Sequence, residues 1–545
     1  MKYIKISILL ITLTTGIGAC KKQLDVKNPN APTPQSATTE LGIVSLAQGS
    51  LYYNAFHGLK YGGFNGNYFN DPLSYLELTG DVIGVEAANQ YINQISTPDK
   101  ITYDDGSTQL NPQTPATQVA LIHEINTNAN ASNNPLYYQW AYMYTLNKAM
   151  NVVLGIVDNV NFTTGDPASK KSAIKAWAYF WKGFAYSNIG SLYYSAIIDD
   201  ASTPTTNGKY LTHDKIITEA NSNFDKSAAA AKAANPADFA TIIGQLIPDI
   251  CQAGNGGVLD ATMWQHNVNT MKARNLLVNN PVASTDWATI ASLTASGTGI
   301  SDGDKIFVAY SNITSDIFGA DGGNTASLAT SINPGYWISE RLIQEFDTSD
   351  LRFKNNFDLL PSLYPGDFTR GTAVATRYYM IAEGKGLKTT GGVSTIVYGS
   401  KSVGAYELKL AGSLEENLIM QAEAQVNLGN NQAAFAIIDH LRDLQGSGLP
   451  HLTGTTPTLS AKEIVRRERR IQMAFSGLSF YDARRWGILD KGRTGCVILD
   501  KNAKLWSNAT INYGYMDYWD VPDNELAYNP AEAGSDATTN PKYPK

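Results

Sequence analysis

Charged side chains are scarce in this sequence. Lys, Arg, Asp and Glu make up 17% of the 545 residues, where soluble proteins average about 25%. The solvated surface must therefore draw on Asn, Thr, Ser, Gln and Tyr. The formal charge is −7, with no basic stripe of the kind that a phosphate backbone needs, so nucleic acid is not an expected partner. Cysteine is rarer still, with only Cys20, Cys251 and Cys496. Thiols so far apart give no disulfide framework, and Cys251 and Cys496 read as two separate buried thiols. The six histidines, at 57, 123, 213, 266, 440 and 451, are scattered. His123-Glu124 begins like a zinc-protease motif, but Thr127 stands where the second ligand belongs. Phosphate-binding loops and nucleophile elbows are missing, and no cofactor or metal is expected. Acidic pairs such as Asp104-Asp105 and Asp199-Asp200 could in principle serve a glycosidase, yet such loop pairs are usually solvated. After the first twenty residues no stretch is long and apolar enough to span a bilayer, which takes about 20 residues.

The first twenty residues carry an export signal. Lys2 and Lys5 form a basic start, and Ile6 to Leu13 form a short apolar run of signal-peptide rather than membrane-span length. Ile17-Gly18-Ala19-Cys20 follows and resembles a bacterial lipobox. Two small residues admit the peptidase, and the Cys20 sulfur takes the lipid. Each buried acyl CH₂ contributes about 0.8 kcal/mol, so several chains hold a protein at a membrane. Residues 1–19 are thus expected to be removed and residues 20–36 to form a lipidated tether, broken by Pro29, Pro32 and Pro34. Cleavage removes two lysines and no acid, which takes the formal charge from −7 to −9.

The rest, 37–545, reads as a single mainly α domain. Helices are expected over 37–57, from about 140 to 157, and over 169–194, 213–234 and 261–280. A helical hairpin follows over 413–445 and a last helical segment over 460–488. In the second of these, Trp140, Met143, Tyr144, Met150, Leu154 and Val157 recur at helical spacing. The third carries Trp177-Ala178-Tyr179-Phe180-Trp181 and should lie deep. The hairpin places Gly429 at a turn and Ala434 where a second helix packs closely, as a tetratricopeptide (TPR) repeat requires. Ala176 and Phe180 keep the same family of spacings. A TPR-like helical-repeat scaffold is the expected fold. Segments 58–135 and 300–412 are rich in Gly, Asn, Thr and Tyr and read as long irregular loops, which in a compact protein are usually functional.

Ser460-Ala461-Lys462-Glu463 is a capping box. It opens Ile464-Val465-Arg466-Arg467-Glu468-Arg469-Arg470, followed by Gly477 and Phe480-Tyr481-Asp482-Ala483-Arg484-Arg485-Trp486-Gly487. Acids lie within this arginine run and Trp486 offers a face for stacking, so the block reads as a structural ion-pair network rather than an anion site. It resembles the C-terminal signature of SusD/RagB proteins. Val521-Pro522-Asp523-Asn524-Glu525, Asn529-Pro530 and, at the front, Leu24-Asp25-Val26 with Asn28-Pro29-Asn30 resemble other parts of that family, as do Glu415-Glu416-Asn417-Leu418-Ile419 and Met263-Trp264. Ser476, Leu478 and Ser479 depart from the usual pattern and mark a divergent branch. The resemblance implies a SusD-like scaffold without catalytic activity. It implies a lipoprotein on the outer face of the outer membrane that captures glycans, or less commonly peptides, for a SusC-like TonB-dependent barrel. An exported glycoside hydrolase is the competing reading.

Tyrosine outnumbers phenylalanine, 30 to 17. A tyrosine ring with its hydroxyl tip suits sugars, which expose apolar C–H faces and polar edges. The candidate ligand residues cluster in the two long loops. They are Tyr61, Phe64, Asn65, Tyr68, Asp71, Tyr75 and Asp81 in the first, and Tyr310 with Trp337 in the second.

Overall fold

The computed structural model describes residues 37–56, 71–85, 91–203, 207–310, 336–364, 374–381, 384–388, 392–398 and 407–545. The tether, Cys20, and the candidates Tyr61, Phe64, Asn65 and Tyr68 lie outside the described residues.

Helices dominate. They include α1 (Glu40–Phe56), α2 (Asp71–Thr79), α3 (Gln118–Ile125), α4 (Pro135–Ile156), α5 (Pro167–Leu192) and α6 (His213–Ala233). After them come α7 (Pro236–Leu246), α8 (Ala261–Val278), α9 (Trp287–Leu293), α10 (Leu414–Asn427), α11 (Asn431–Leu444), α12 (Ala461–Gln472) and α13 (Ser479–Arg485). Local sequence explains where many of these begin. Asn134, Asp166 and Asn235 each accept a backbone N–H of the first turn, and each is followed by proline at the first helical position. Proline has no N–H to leave orphaned there, and its φ is already helical. Asp260 caps α8 through Thr262 N and Met263 N, and Ser413 and Ser460 cap α10 and α12.

Successive helices stack as pairs. α5 packs on α4, α6 and α7, α8 on α6 and α9, and α10 on α9, α11 and α12. In the α10–α11 hairpin, Gly429 turns the chain at φ +88°, a conformation that costs a side-chain-bearing residue dearly. Ala434 is fully buried where α11 meets its neighbour. The fold is mainly α with TPR-like stacking, as the periodicity implied. α5 is buried along most of its length. Around it, Phe180 meets Trp264 at 5.4 Å and Phe307 at 4.9 Å, and Trp264 meets Phe307 edge-on at 5.5 Å. Such ring pairs add about 0.5–1.5 kcal/mol each beyond area burial.

The expected loop segments contain more regular structure than their composition suggests. Within 58–135 lie α2, α3, the turn Ile92–Ile95 and strands β1 (Ile83–Val85), β2 (Lys100–Thr102) and β3 (Thr108–Leu110). These elements are too short to show a period in sequence. β4 (Ser195–Ile197) and β5 (Tyr210–Thr212) pair beside α6. Within 300–412 lie β6 (Val308–Tyr310), β7 (Tyr336–Ile338), β8 (Phe357–Tyr364), β9 (Thr376–Met380) and β10 (Glu407–Lys409). Among the described residues the largest sheet has four antiparallel strands, in the order β11 (Arg493–Leu499), β12 (Leu505–Asn512), β2, β3. Thus the C-terminal hairpin pairs with a strand from far earlier in the chain. Beyond it the closing segment laces over the bundle. Asn126 Nδ2 donates to the Val521 carbonyl at 3.1 Å, Trp140 Nε1 to Glu525 at 3.2 Å, and the Tyr210 hydroxyl to the Asn529 carbonyl at 2.8 Å.

Cys251 and Cys496 are both buried and unpaired with each other. No helix among the described residues is long and apolar enough to cross a membrane.

Candidate functional site

Of the sequence-predicted ligand residues, Tyr75, Asp81 and Trp337 lie inside the protein. Tyr75, on α2, is 3% exposed, and its ring centre sits 6.5 Å from that of Tyr138. Trp337, on β7, is 2% exposed and lies opposite Gly84 of β1. A Cβ on Gly84 would come within 2.3 Å of the indole nitrogen, so only glycine admits that ring. Asp81 is buried as an acceptor. Arg341 Nε reaches its two carboxylate oxygens at 3.1 and 3.0 Å, Arg341 Nη2 reaches one at 2.7 Å, Ser339 Oγ donates at 2.9 Å, and the Tyr513 hydroxyl donates as well. Despite burial, the Arg341, Arg470 and Arg493 guanidinium groups hold the Asp81 carboxyl far below the usual range. Asp71 opens α2 and Tyr310 ends β6.

The arginine block forms the network its interleaved acids implied. Arg469 and Arg485 both donate to Asp482, at 2.8 and 2.6 Å, and Arg485 makes a two-pronged contact with Glu423 at 2.6 and 2.8 Å. Glu468 receives Arg352 at 2.6 Å, Arg442 at 3.0 Å and Gln472 Nε2 at 2.8 Å. Arg466 joins Glu345 and Glu463, both at 2.8 Å. Arg470 donates to the carbonyls of Gly80, at 2.9 Å, and Asp81. Trp486 lies under Arg485 at 5.0 Å and Arg466 at 5.7 Å. These partnerships hold charges where an unpaired ion would cost several kcal/mol. Glu468, although desolvated, is drawn down to about 2 by Arg352 and Arg442.

Beside this network lies a cavity of about 390 Å³. It is within the size range of small-molecule sites, and sequence reasoning missed it. Leu73, Phe184, Met473, Phe475 and Leu478 give it apolar walls, while Tyr398, Gln445, Gln472, Ser413 and Ser476 add neutral polar groups. Its charged residues come mostly in pairs. Arg274 Nε donates to Glu416 at 2.6 Å, and Lys409 meets Glu415 at 2.7 Å. Glu407 accepts from the Asn255 backbone at 2.9 Å. One wall is strained, since Phe475 has φ +66°, a region that bulky residues avoid. Glu77 holds that turn. Its carboxylate accepts the N–H groups of Phe475 and Gly477 at 2.9 Å each, and Ser479 Oγ at 2.9 Å. Burial pushes Glu77 up to about 7 in spite of these donors.

Among the described residues no group of three or more His, Cys, Asp or Glu is arranged to hold a metal. Four histidines instead each meet a single carboxylate: His123 that of Asp520 at 3.2 Å, His266 that of Asp304 at 2.7 Å, His440 that of Asp302 at 2.8 Å and His451 that of Asp443 at 3.0 Å.

A TPR-like scaffold closed by a buried arginine–carboxylate web is thus the class that the fold defines. Residues 414–543, which carry most of that web, match the model of the SusD family. Solved structures share the fold at low identity. A SusD-like carbohydrate-binding protein from Bacteroides fragilis is 15% identical with a TM-score of 0.54, over 91% of this chain and 99% of that one. A SusD homologue from Bacteroides thetaiotaomicron is 15% identical with a TM-score of 0.53, over 90% of this chain and 97% of that one. The surface glycan-binding protein A of Bacteroides fluxus is 13% identical with a TM-score of 0.51, over 92% and 98%. No curated protein matches in sequence. Residues 414–543 are thus similar to the SusD family, and the fold as a whole is similar to that of SusD-like proteins.

Proposed function

We propose that this protein is a cell-surface lipoprotein that captures a glycan and passes it to a SusC-like TonB-dependent barrel in the outer membrane. The observation that carries this reading is the SusD family segment, residues 414–543, set in a fold shared almost end to end with SusD-like structures. Two of those relatives are described as carbohydrate-binding or glycan-binding proteins. The export signal ending at Cys20 and the proline-broken stretch after it supply an anchor and a tether. Residues 37–545 act as one domain carrying the site. Capture is assigned to the loop aromatics and their polar neighbours, Tyr61, Phe64, Asn65, Tyr68 and Asp71 in the first loop segment, with Tyr310 in the second. The protein binds and does not turn over its ligand.

The test uses the full chain extracted in detergent. It is offered to immobilised glycans and, in parallel, to peptides. Retention on a glycan, loss of that retention in Tyr68→Ala, and co-purification with a large β-barrel are the expected results. Cys20→Ala should leave the membrane fraction. Retention on peptides alone would replace the ligand class. Release of new reducing ends by the pure protein, abolished by one carboxylate substitution, would overturn the reading in favour of a hydrolase.

A further inference from the structure

We infer that Glu77 and the turn after α12 form a conformational switch. Ionised, the Glu77 carboxylate grips residues 475–479 in a strained shape; protonated, it lets them go and reshapes one wall of the cavity. The switch belongs to the scaffold and operates whatever the loops capture.

α2 and this turn approach each other closely on either side of Glu77. A Cβ on Gly477 would come within 2.8 Å of Leu73 Cγ, and a Cβ on Gly80 within 2.3 Å of Ser479 Cβ. Glu77 lies in sequence between Leu73 and Gly80 and is fully buried. Its Oε2 accepts the Phe475 N–H and the Ser479 hydroxyl, each at 2.9 Å. Its Oε1 accepts the Gly477 N–H at 2.9 Å and the Ser479 N–H at 3.4 Å. Four donors therefore converge on two oxygens, which fills a carboxylate and leaves no place for a proton. A carboxylic acid has to donate, and of these four partners only Ser479 Oγ can also accept. When it does so, the Phe475 N–H is left with a hydroxyl oxygen in place of a carboxylate.

The turn is built to move once that hold weakens. Gly477 takes φ +72° without cost, but Phe475 at φ +66° does not. The strain is stored only while the grip lasts. Residues 475–478 line the cavity, so the return of Phe475 to negative φ moves a cavity wall.

The surrounding charges leave Glu77 free to titrate. α13, α4, β1 and the turn Ile92–Ile95 pack on α2. β1 and Ile92–Ile95 carry no titratable side chain. α4 faces α2 with the Tyr138 ring. α13 supplies Ser479 and, further along, Asp482, which Arg469 and Arg485 neutralise. Asp81, just past α2, is paired with Arg341. Arg470 of α12 favours the Glu77 ion from a distance, but its own donors go to the carbonyls of Gly80 and Asp81. Among the described residues Glu77 makes no ion pair, and burial outweighs its donors, pushing the carboxyl up to about 7. Above that pH the ion holds the turn. Below it the neutral acid is cheaper to bury, so the domain stays folded while the turn loosens.

The experiment is hydrogen exchange of the full-length chain in detergent from pH 5 to pH 9. Peptides spanning the turn are read by mass spectrometry and corrected for the intrinsic rate. Protection of the turn should fall about tenfold as pH drops through the Glu77 range, the worth of one hydrogen bond to a charged group, while α5 keeps its protection. Glu77→Gln, which cannot ionise, should show no step. Phe475→Gly, relieved of the strain, should keep the turn protected at pH 5. An infrared band from a protonated buried carboxyl, missing in Glu77→Gln, should vanish from the parent as pH rises over the same range. Protection that does not change with pH in the parent overturns the proposal, as does the absence of that infrared band. A parental step in Glu77→Gln, or an equal acid loss in Phe475→Gly, overturns it too. If either variant fails to fold, exchange and infrared titration of the parent decide the matter.

Discussion

Around Trp177 the interior is a meeting of rings. Trp177, Phe180, Trp181, Trp264 and Phe307 touch one another, and all five are fully buried. Around Arg469 the interior is equally dry, yet it holds Arg352, Arg469, Arg485, Glu468 and Asp482, with side chains 3% exposed or less. The first core gains stability from area removed from water, in any arrangement that fills the space. The second gains little from burial itself and depends on every charge finding its partner. The same fold thus contains one region that tolerates exchange of shape and another that tolerates no exchange of charge.

The sharpest way to break this contrast is to remove one carboxylate. Glu468→Met leaves Arg352 and Arg442 without their shared acceptor and should cost about 3–5 kcal/mol, read as a shift in the urea midpoint. A loss under 1 kcal/mol would mean that the arginines find water. pH offers a second, smaller lever, with opposite signs at two glutamates. Glu468 is depressed from 4.5 to about 2, so its contribution is present above pH 4.5 and is lost as pH falls toward 2. Glu77 is raised from 4.5 to about 7, so its contribution is complete below pH 4.5 and is lost as pH rises to 7. Unfolding curves from pH 3 to 8 should therefore flatten on the acid side in Glu468→Gln and between pH 4.5 and 7 in Glu77→Gln. Identical pH profiles for the variants and the parent would contradict both assignments. The smallest effect belongs to the ring core. Phe180→Leu keeps an apolar side chain of nearly the same size and should cost about 1–1.5 kcal/mol, with no change in pH profile. A loss as large as that of Glu468→Met would erase the distinction between the two regions.

The two regions also differ in how far they could be read from sequence. The ring core announces itself, because Trp177 and Trp181 recur at helical spacing on a helix opened by Asp166-Pro167. α7 was missed although Asn235-Pro236 gives the same opening signal, because eleven residues between two larger helices show too little period. The charged core was legible in kind and not in wiring. The acids at 463, 468 and 482 are neighbours of the arginines in sequence, but Asp81, Glu345, Arg352 and Glu423 arrive from elsewhere in the chain. Tyr75, Asp81 and Trp337 looked like loop residues because the elements carrying or flanking them are only three to nine residues long. The cavity left no trace in sequence. Phe475 and Tyr398 are separated by the whole α10–α11–α12 segment, and nothing in their local pattern says that they share a void.

Asp81 has a consequence for how the molecule is assembled. Its side chain and carbonyl gather Arg341, Arg470 and Tyr513, so no local stretch can satisfy it. A half-formed intermediate that has buried Asp81 before those later stretches arrive carries a naked ion in its interior. Such species are penalised, and the closure of very long loops that relieves them is slow. The stretches that carry Asp81, Arg341, Arg470 and Tyr513 should therefore melt together rather than in sequence, with one carboxylate serving as the checkpoint for all of them.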